Sequence, residues 1–330
     1  VGVRFVTGQR VLAASCIREP SEGMVVTTNN ARAESARRMV VEMLLVDQPQ
    51  QDVAHDKSSH FWDMAALQGV SESRFPKLEA GRIPLLDNSH VAMSVNLDAC
   101  IQCGLCVRAC REVQVNDVIG MAGRGHDSYP TFDMADPMGE STCVACGECV
   151  QACPTGALLP STVVDENQVG DSADFDSETA SVCPFCGVGC QVSLKVKDGK
   201  IKYVEGINGP ANEGRLCVKG RFGFDYIHHP HRLIKPMIRR ADAPPKGLNV
   251  NPGDLSTHFR EASWDEALDF AAGGMARIAQ AHGGKAVAGF GSAKCTNEEA
   301  YLCQKLIRQG FKHNNVDHCT RLCHASSVAA

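Results

Sequence analysis

No stretch of the 330 residues is apolar over spanning length, so no segment is expected to cross a bilayer. Concentrated basic character is missing too. With a net charge of −5 and no basic stripe, nucleic acid is excluded as a partner class. The first residue, Val1, is not a methionine, no signal peptide is visible, and the sequence opens and closes in mid-pattern; the expectation is a fragment, inactive in isolation. What the chain does have is cysteine, seventeen in all. Secreted disulfide scaffolds are short and scatter their cysteines. Here they bunch in C-x2-C units of a long chain, which argues for metal ligation in a reducing, cytoplasmic setting. The length suits two or three domains, each able to bury a core.

Twelve of the seventeen cysteines fall in three groups of four. The first is Cys100-x2-Cys103-x2-Cys106-x3-Cys110, and the second, Cys143-x2-Cys146-x2-Cys149-x3-Cys153-Pro154, repeats it at an offset of 43. The third is Cys183-x2-Cys186-x3-Cys190, completed by Cys217. Three thiolates from one tight loop plus a fourth from elsewhere are what a [4Fe–4S] cubane needs. The tandem spacing is that of two-cluster ferredoxins, in which the fourth cysteine of each run serves the other cluster. By that rule Cys100, Cys103, Cys106 and Cys153 hold one cluster, and Cys143, Cys146, Cys149 and Cys110 hold the other. Structural zinc sites pair two distant C-x2-C units instead, a poorer match. Gly104 and Gly147 follow the second cysteine of each run, where the backbone must approach inorganic sulfur closely. Arg111 stands where the second run has Pro154.

Upstream of the repeat, strands are expected near residues 11–14 and 24–28, and Asn30 caps a helix over about 31–46. Ala36, Met39, Val40, Met43 and Leu44 should form that helix's buried face. Cys16, taken alone, reads as a small buried hydrophobe. In its context, Ala14-Ser15-Cys16 before Glu22-Gly23-Met24-Val25-Val26, it resembles the last ligand of the plant-type [2Fe–2S] domain in the complex I large iron–sulfur subunit. The other ligands of that cluster would lie upstream. In those relatives a cluster held by one histidine and three cysteines follows. The matching stretch here, residues 47–57, has no cysteine, so that site is read as lost and His55 and His60 as surface residues. Residues 161–178, rich in Asp and Glu, read as a solvated linker.

After the third cysteine motif comes a hairpin turning at Asp198-Gly199. Residues 235–262 read as irregular. Capping boxes at Ser263-x2-Glu266 and Thr296-x2-Glu299 open helices over about 264–281 and to about 309. Ala267, Leu268, Ala271, Met275 and Ile278 should face inward on the first. Between them Ala286–Gly291 reads as a buried strand, and helix, strand, glycine loop, helix is the rhythm of a parallel α/β sheet. Gly289-x-Gly291 is too short for a dinucleotide fingerprint. Cys295 and Cys303 read as core or loop residues. The terminal Cys323-His324 pair, by itself, is open to three readings: a nucleophile with its base, a piece of a zinc site, or no site at all.

The order of these features resembles the molybdopterin oxidoreductases that bind two pterin guanine dinucleotides. The features are C-x2-C-x3-C, then Cys217-x-Lys219-Gly220, then Ser263-Trp264-Asp265-Glu266, then Asn314-Asn315-Val316-Asp317-x-Cys319-x-Arg321-x-Cys323-His324. Within that group the chain resembles the catalytic α subunits of cytosolic NAD-dependent formate dehydrogenases, over about the front third of such a subunit. The resemblance implies that Cys323 ligates molybdenum or tungsten and that His324 assists substrate oxidation. It implies that Lys219 lies on the electron path between the proximal cluster and a pterin, and that a formate-binding arginine lies beyond Ala330. It implies formate and carbon dioxide as substrate and product, and flavin- and NAD-binding subunits as partners. The expected fold is α+β and multidomain. Residues 1–70 would be the end of a [2Fe–2S] domain with a degenerate complex I-like segment, and 71–160 a ferredoxin-like two-[4Fe–4S] module. A linker over 161–178 would lead to an iron–sulfur domain over 179–235. Residues 236–330 would be the truncated start of an α/β molybdopterin-binding domain. Two rival functions fit less well: an assimilatory nitrate reductase of the same superfamily, and an electron-wiring subunit as in complex I with no active-site metal. Cys323-His324 and Lys219 argue against the second.

Overall fold

The computed structural model describes residues 3–6, 12–77, 86–323 and 325. The chain separates into two compact units. One comprises Val1–Thr179, Leu194–Glu205 and Leu216–Val218; the other comprises Ala180–Ser193, Gly206–Arg215 and Lys219–Ala330. Helices and short strands are mixed in both.

In the first unit, strand Val3–Val6 pairs antiparallel with Ala13–Ala14 and with Val26–Thr27. Asn30 then caps helix Ala31–Leu45, its Oδ1 accepting from the Ala33 amide at 2.8 Å. The buried face of this helix differs from the expected one. Ala33, Val41 and Glu42 are buried, whereas Met39, Val40 and Met43 are exposed. Glu42 can turn inward because Arg74 grips its carboxylate through Nε and Nη2 and through its own backbone amide. Val41 packs with Ala65 of helix His60–Leu67 and with Val70.

The cysteine repeat is inserted between two strands of one sheet. Strand Met93–Asn96 enters it and Leu158–Pro160 leaves it, paired antiparallel with Val95 opposite Leu158. A hairpin, Ile119–Ala122 with Tyr129–Phe132, separates the two runs. Residues 161–178, expected as a solvated linker, are mostly exposed or half-buried, with anchors at a few positions. Val163 packs with Leu159 and Tyr203 in a buried cluster, and the Tyr203 hydroxyl donates to the Ser172 carbonyl at 2.6 Å.

The expected hairpin forms strands Gln191–Lys197 and Lys200–Gly206, which contribute to both units. Asp198 and Gly199, at φ 50° and 71°, make the two-residue turn. In the second unit, residues 235–262 contain a short antiparallel pair, Met237–Arg239 with Phe259–Glu261, where irregular structure was expected. Helix Trp264–His282 is capped by Ser263, whose Oγ accepts from the Glu266 amide. The box is only half closed, because Glu266 bonds Arg260 instead. No residue of this helix is buried: Leu268, expected inward, is 59 % exposed. Strand Gly289–Gly291 pairs in parallel with Val316–His318, the α/β feature that the sequence pattern predicts. Between them lies helix Asn297–Lys305, which has the full Thr296/Glu299 capping box and continues as a π-helical turn over Leu306–Gly310.

Candidate metal centres

The two runs build the same local geometry twice. After each second cysteine the chain takes a left-handed conformation, at Gly104 (φ 70°) and Gly147 (φ 72°), and a short helix starts there. No Cβ clash forbids a side chain at Gly104; the requirement is the backbone angle. Between the first and second cysteines Gln102 and Ala145 also have positive φ, at 56° and 55°. This turn aims their amides at sulfur: Gln102 N donates to Cys100 Sγ at 3.4 Å and Ala145 N to Cys143 Sγ at 3.3 Å. Such donors favour the thiolate and tune a cluster held by it.

Cys100, Cys103, Cys106 and Cys153 line one pocket, closed by Met121, Pro130 and Leu158. Burial pushes the Cys106 thiol up to about 12, with Cys153, Cys100 and Cys103 adding to the effect. Cys103 is raised by burial as well, although its residue remains exposed overall. The other four sulfurs also come together. Cys110 sits in a π-helical turn, Ala109–Val113, that extends the helix carrying Cys106, and Val118 N donates to its Sγ at 3.3 Å. Burial raises the Cys143 and Cys146 thiols, and Cys110 adds to both shifts. Cys149 is raised too, by burial and then by Cys146, Cys143, Cys106 and Cys110. The fourth cysteine of each run thus stands with the first three of the other, and Cys106 beside Cys149 makes the two sites neighbours. The Cys103, Cys106, Cys143, Cys146 and Cys149 thiols therefore resist ionising until a cationic group arrives.

Among the described residues no three His, Cys, Asp or Glu side chains close up enough to hold a single ion. Four sulfurs spread around one pocket, with amide donors behind them, suit a polynuclear cluster better. The all-sulfur donor set fits a cubane on the same ground.

Cys183, Cys186 and Cys190 lie on one loop of the second unit, where the Cys183 amide donates to the Cys190 carbonyl at 2.8 Å. Asn297, at the start of its helix, donates from Nδ2 to the Gly187 carbonyl at 2.8 Å. A Cβ at Gly187 would stand 2.6 Å from Asn297 Oδ1, so a larger residue would displace the Asn297 side chain. Lys294 reaches over the Phe185 ring at 5.6 Å. The cysteine loop therefore sits against residues 294–297, just past the carboxyl end of strand Gly289–Gly291, where parallel sheets bind ligands. The partner strand Val316–His318 leads from the same end into helix Thr320–Cys323. Cys319 Sγ accepts from the Ala293 amide at 3.0 Å, and Cys295 Sγ donates to the Ser292 carbonyl at 2.8 Å. Neither contact is visible in the sequence spacing. Cys323 is described only as the last residue of its helix, and His324 lies outside the described residues. Cys217 belongs to the segment Leu216–Val218 of the first unit and is exposed. Lys219 is exposed on the short helix Val218–Phe222. Cys16 is exposed in the turn Ser15–Ile17, which overturns its reading as a buried hydrophobe.

His55 is the clear departure. It is 1 % exposed, not on the surface, and its Nδ1 bonds the Gln168 carbonyl at 2.8 Å. A carbonyl only accepts, so Nδ1 carries the proton, and Nε2 is buried without a hydrogen-bond partner. Burial lowers its pKa. Beside it, Asp56 accepts from the Ser58 and Ser172 amides. The cysteine-free segment is thus a polar knot tied to residues 168–172. His60 is exposed, as expected.

Residues 99–157 match the family described as 4Fe-4S dicluster domain. Residues 176–229 match the molybdopterin oxidoreductase Fe4S4 domain, and residues 232–330 match molybdopterin oxidoreductase. A Bacillus subtilis protein provisionally named formate dehydrogenase YrhE is 29 % identical over 96 % of this chain and 35 % of its own length. A subunit of an NADH-quinone oxidoreductase from Rhizobium meliloti is 34 % identical over 96 % of this chain and 34 % of its own. The chain spans about a third of the length of these curated relatives. A crystal structure of NAD+-reducing [NiFe]-hydrogenase in the H2-reduced state gives a TM-score of 0.42 at 25 % identity, covering 48 % of this chain and 68 % of that one. Among the described residues no helix is long and apolar enough to cross a membrane. Along the chain the matches thus run in order from a 4Fe–4S dicluster domain through a molybdopterin oxidoreductase Fe4S4 domain to a molybdopterin oxidoreductase domain.

Proposed function

We propose that this chain belongs to the catalytic subunit of a formate dehydrogenase, which oxidises formate to carbon dioxide and delivers the electrons to a flavin- and NAD-binding partner. The observation that carries the reading is the position of the Cys183–Cys190 loop against residues 294–297. An iron–sulfur motif there adjoins the ligand-binding end of a parallel sheet, and the second strand of that sheet runs on toward Cys323. The Cys323-His324 pair and the name carried by the Bacillus subtilis relative favour formate over nitrate.

In this reading Cys100, Cys103, Cys106 and Cys153 hold one [4Fe–4S] cluster, and Cys143, Cys146, Cys149 and Cys110 a second. Cys183, Cys186, Cys190 and Cys217 hold a third. Cys323 would ligate molybdenum or tungsten carried by two pterin guanine dinucleotides, a thiolate being a soft ligand suited to such a centre. When bound, that centre supplies the two-electron chemistry, and the clusters divide it into single-electron steps. The protein's own residues orient and exclude. His324 would take a proton or fix the formate anion, roles that histidine commonly serves. Lys219 provides positive charge on the electron path. Cys16 would be the last ligand of a [2Fe–2S] cluster.

The Rhizobium meliloti relative supports a second reading, an electron-conducting subunit without a heavy metal. Formate-dependent NAD reduction by the full-length native complex, assayed without oxygen and with molybdenum and tungsten quantified, separates the two. Activity with about one heavy-metal atom per chain, at a single thiolate site, is expected. Cys323→Ala should abolish turnover. Iron without either heavy metal would leave the conducting subunit, and heavy metal without formate activity another molybdopterin oxidoreductase.

A further inference from the structure

Glu148 lies between Cys146 and Cys149, yet it does not point to solvent. It is 7 % exposed, and its Oε1 accepts from the backbone amide of Leu216 at 2.9 Å. Leu216 immediately precedes Cys217. Its side chain is itself buried, at 2 % exposure, and its carbonyl receives a weaker second contact from Gln114 Nε2 at 3.5 Å. Gln114 directly follows the π-helical turn that carries Cys110. The peptide before Cys217 is therefore gripped on both sides by residues adjoining ligands of the second cysteine site. Burying a carboxylate is costly unless its oxygens are bonded, so this position is held for the contact it makes.

We propose that Glu148 is a positioning residue that couples the second cluster site to Cys217, providing a bonded route for electrons between the second and third clusters. The inference rests on the ligand assignments above. The route runs from Cys217 through the Leu216 peptide, across the N–H···O bond to Glu148, and along the backbone to Cys149. One electron crosses it. The [4Fe–4S] cluster on the Cys217 side is oxidised and the one on the Cys149 side is reduced; no bond is made or broken and no proton moves. A hydrogen-bonded path couples two centres better than a gap of the same width, and it fixes their separation.

The test uses the full-length protein mixed with a reduced viologen dye and freeze-quenched, so it does not depend on formate turnover. Electron paramagnetic resonance follows each reduced cluster as it appears, and iron is measured on every sample. Glu148→Gln keeps an acceptor oxygen in place and should transfer at the native rate. Glu148→Ala removes the acceptor and Glu148→Asp shortens its reach. Both should slow equilibration between the second and third clusters severalfold with iron content unchanged. Native rates in the Ala or Asp variant would overturn the proposal, as would a Gln variant as slow as Ala. Iron loss in both Ala and Asp would also overturn it, assigning Glu148 to cluster assembly. Fewer than three cubane signals in the unsubstituted protein would instead defeat the ligand assignments.

Discussion

The two cysteine runs share a spacing, a left-handed glycine and an N–H···S bond, yet they meet different surroundings. The run from Cys100 ends in a pocket lined by apolar side chains, with Cys103 exposed. In the run from Cys143 it is the residue before the third cysteine that differs: Glu148 is buried and reaches the residue before Cys217. Duplicated local geometry makes two equivalent sulfur cages. What each one faces depends on contacts made far away in sequence. The repeat is thus asymmetric: its second run accepts a bond from the residue before Cys217 through Glu148, and in its first run the position matching Glu148 is Leu105, which has no such acceptor.

The largest effect is expected from removing the exchanged cysteines. Cys110→Ala should abolish the cluster signal of Cys143, Cys146 and Cys149 and leave that of Cys100, Cys103 and Cys106, despite Cys110 belonging to the first run. Cys153→Ala should do the reverse. Loss of about four iron atoms is expected in each, read by iron analysis with electron paramagnetic resonance. A variant that empties its own run would show that the runs are independent.

A smaller effect sharpens the likeness of the runs. Gly104→Ala and Gly147→Ala each force a side chain into the left-handed region, at a cost of about 1–2 kcal/mol. Thermal unfolding should shift downward by similar amounts in both, since the strain lies in the backbone angle. A shift confined to Gly147→Ala would mean that burial, not the angle, sets the cost.

The smallest effect contrasts the cysteine repeat with the cysteine-free knot at His55. Burial lowers the pKa of His55, so the folded state keeps it neutral where the unfolded chain takes up a proton. The unfolded state then binds more protons, and stability falls as pH drops below the ordinary histidine value of about 6.5. His55→Gln should flatten that part of the stability profile, measured by denaturant unfolding between neutral and mildly acid pH. An unchanged slope would mean that His55 is protonated when folded.

What could be read from the sequence was local. The cysteine spacings, the Asn30 and Thr296 caps, and the Asp198-Gly199 turn each depend on residues a few positions apart. What could not be read depends on distant partners. His55 looked like a surface residue because its partner Gln168 is 113 residues away. Glu148 gave no signal because Leu216 is 68 residues on. Helix Ala31–Leu45 turned a different face inward because Arg74, outside any helical period, neutralises Glu42. Helix Trp264–His282 has the apolar period of a packed helix, yet its Leu268, Phe270 and Ile278 remain exposed.

Mössbauer spectroscopy of the full-length protein, purified without oxygen and combined with iron and sulfide analysis, decides whether three cubanes are bound. Three cubanes predict about twelve iron atoms per chain with [4Fe–4S] parameters, distinct from any [2Fe–2S] iron. Zinc in place of that iron, or iron enough for only one cubane, would contradict the account.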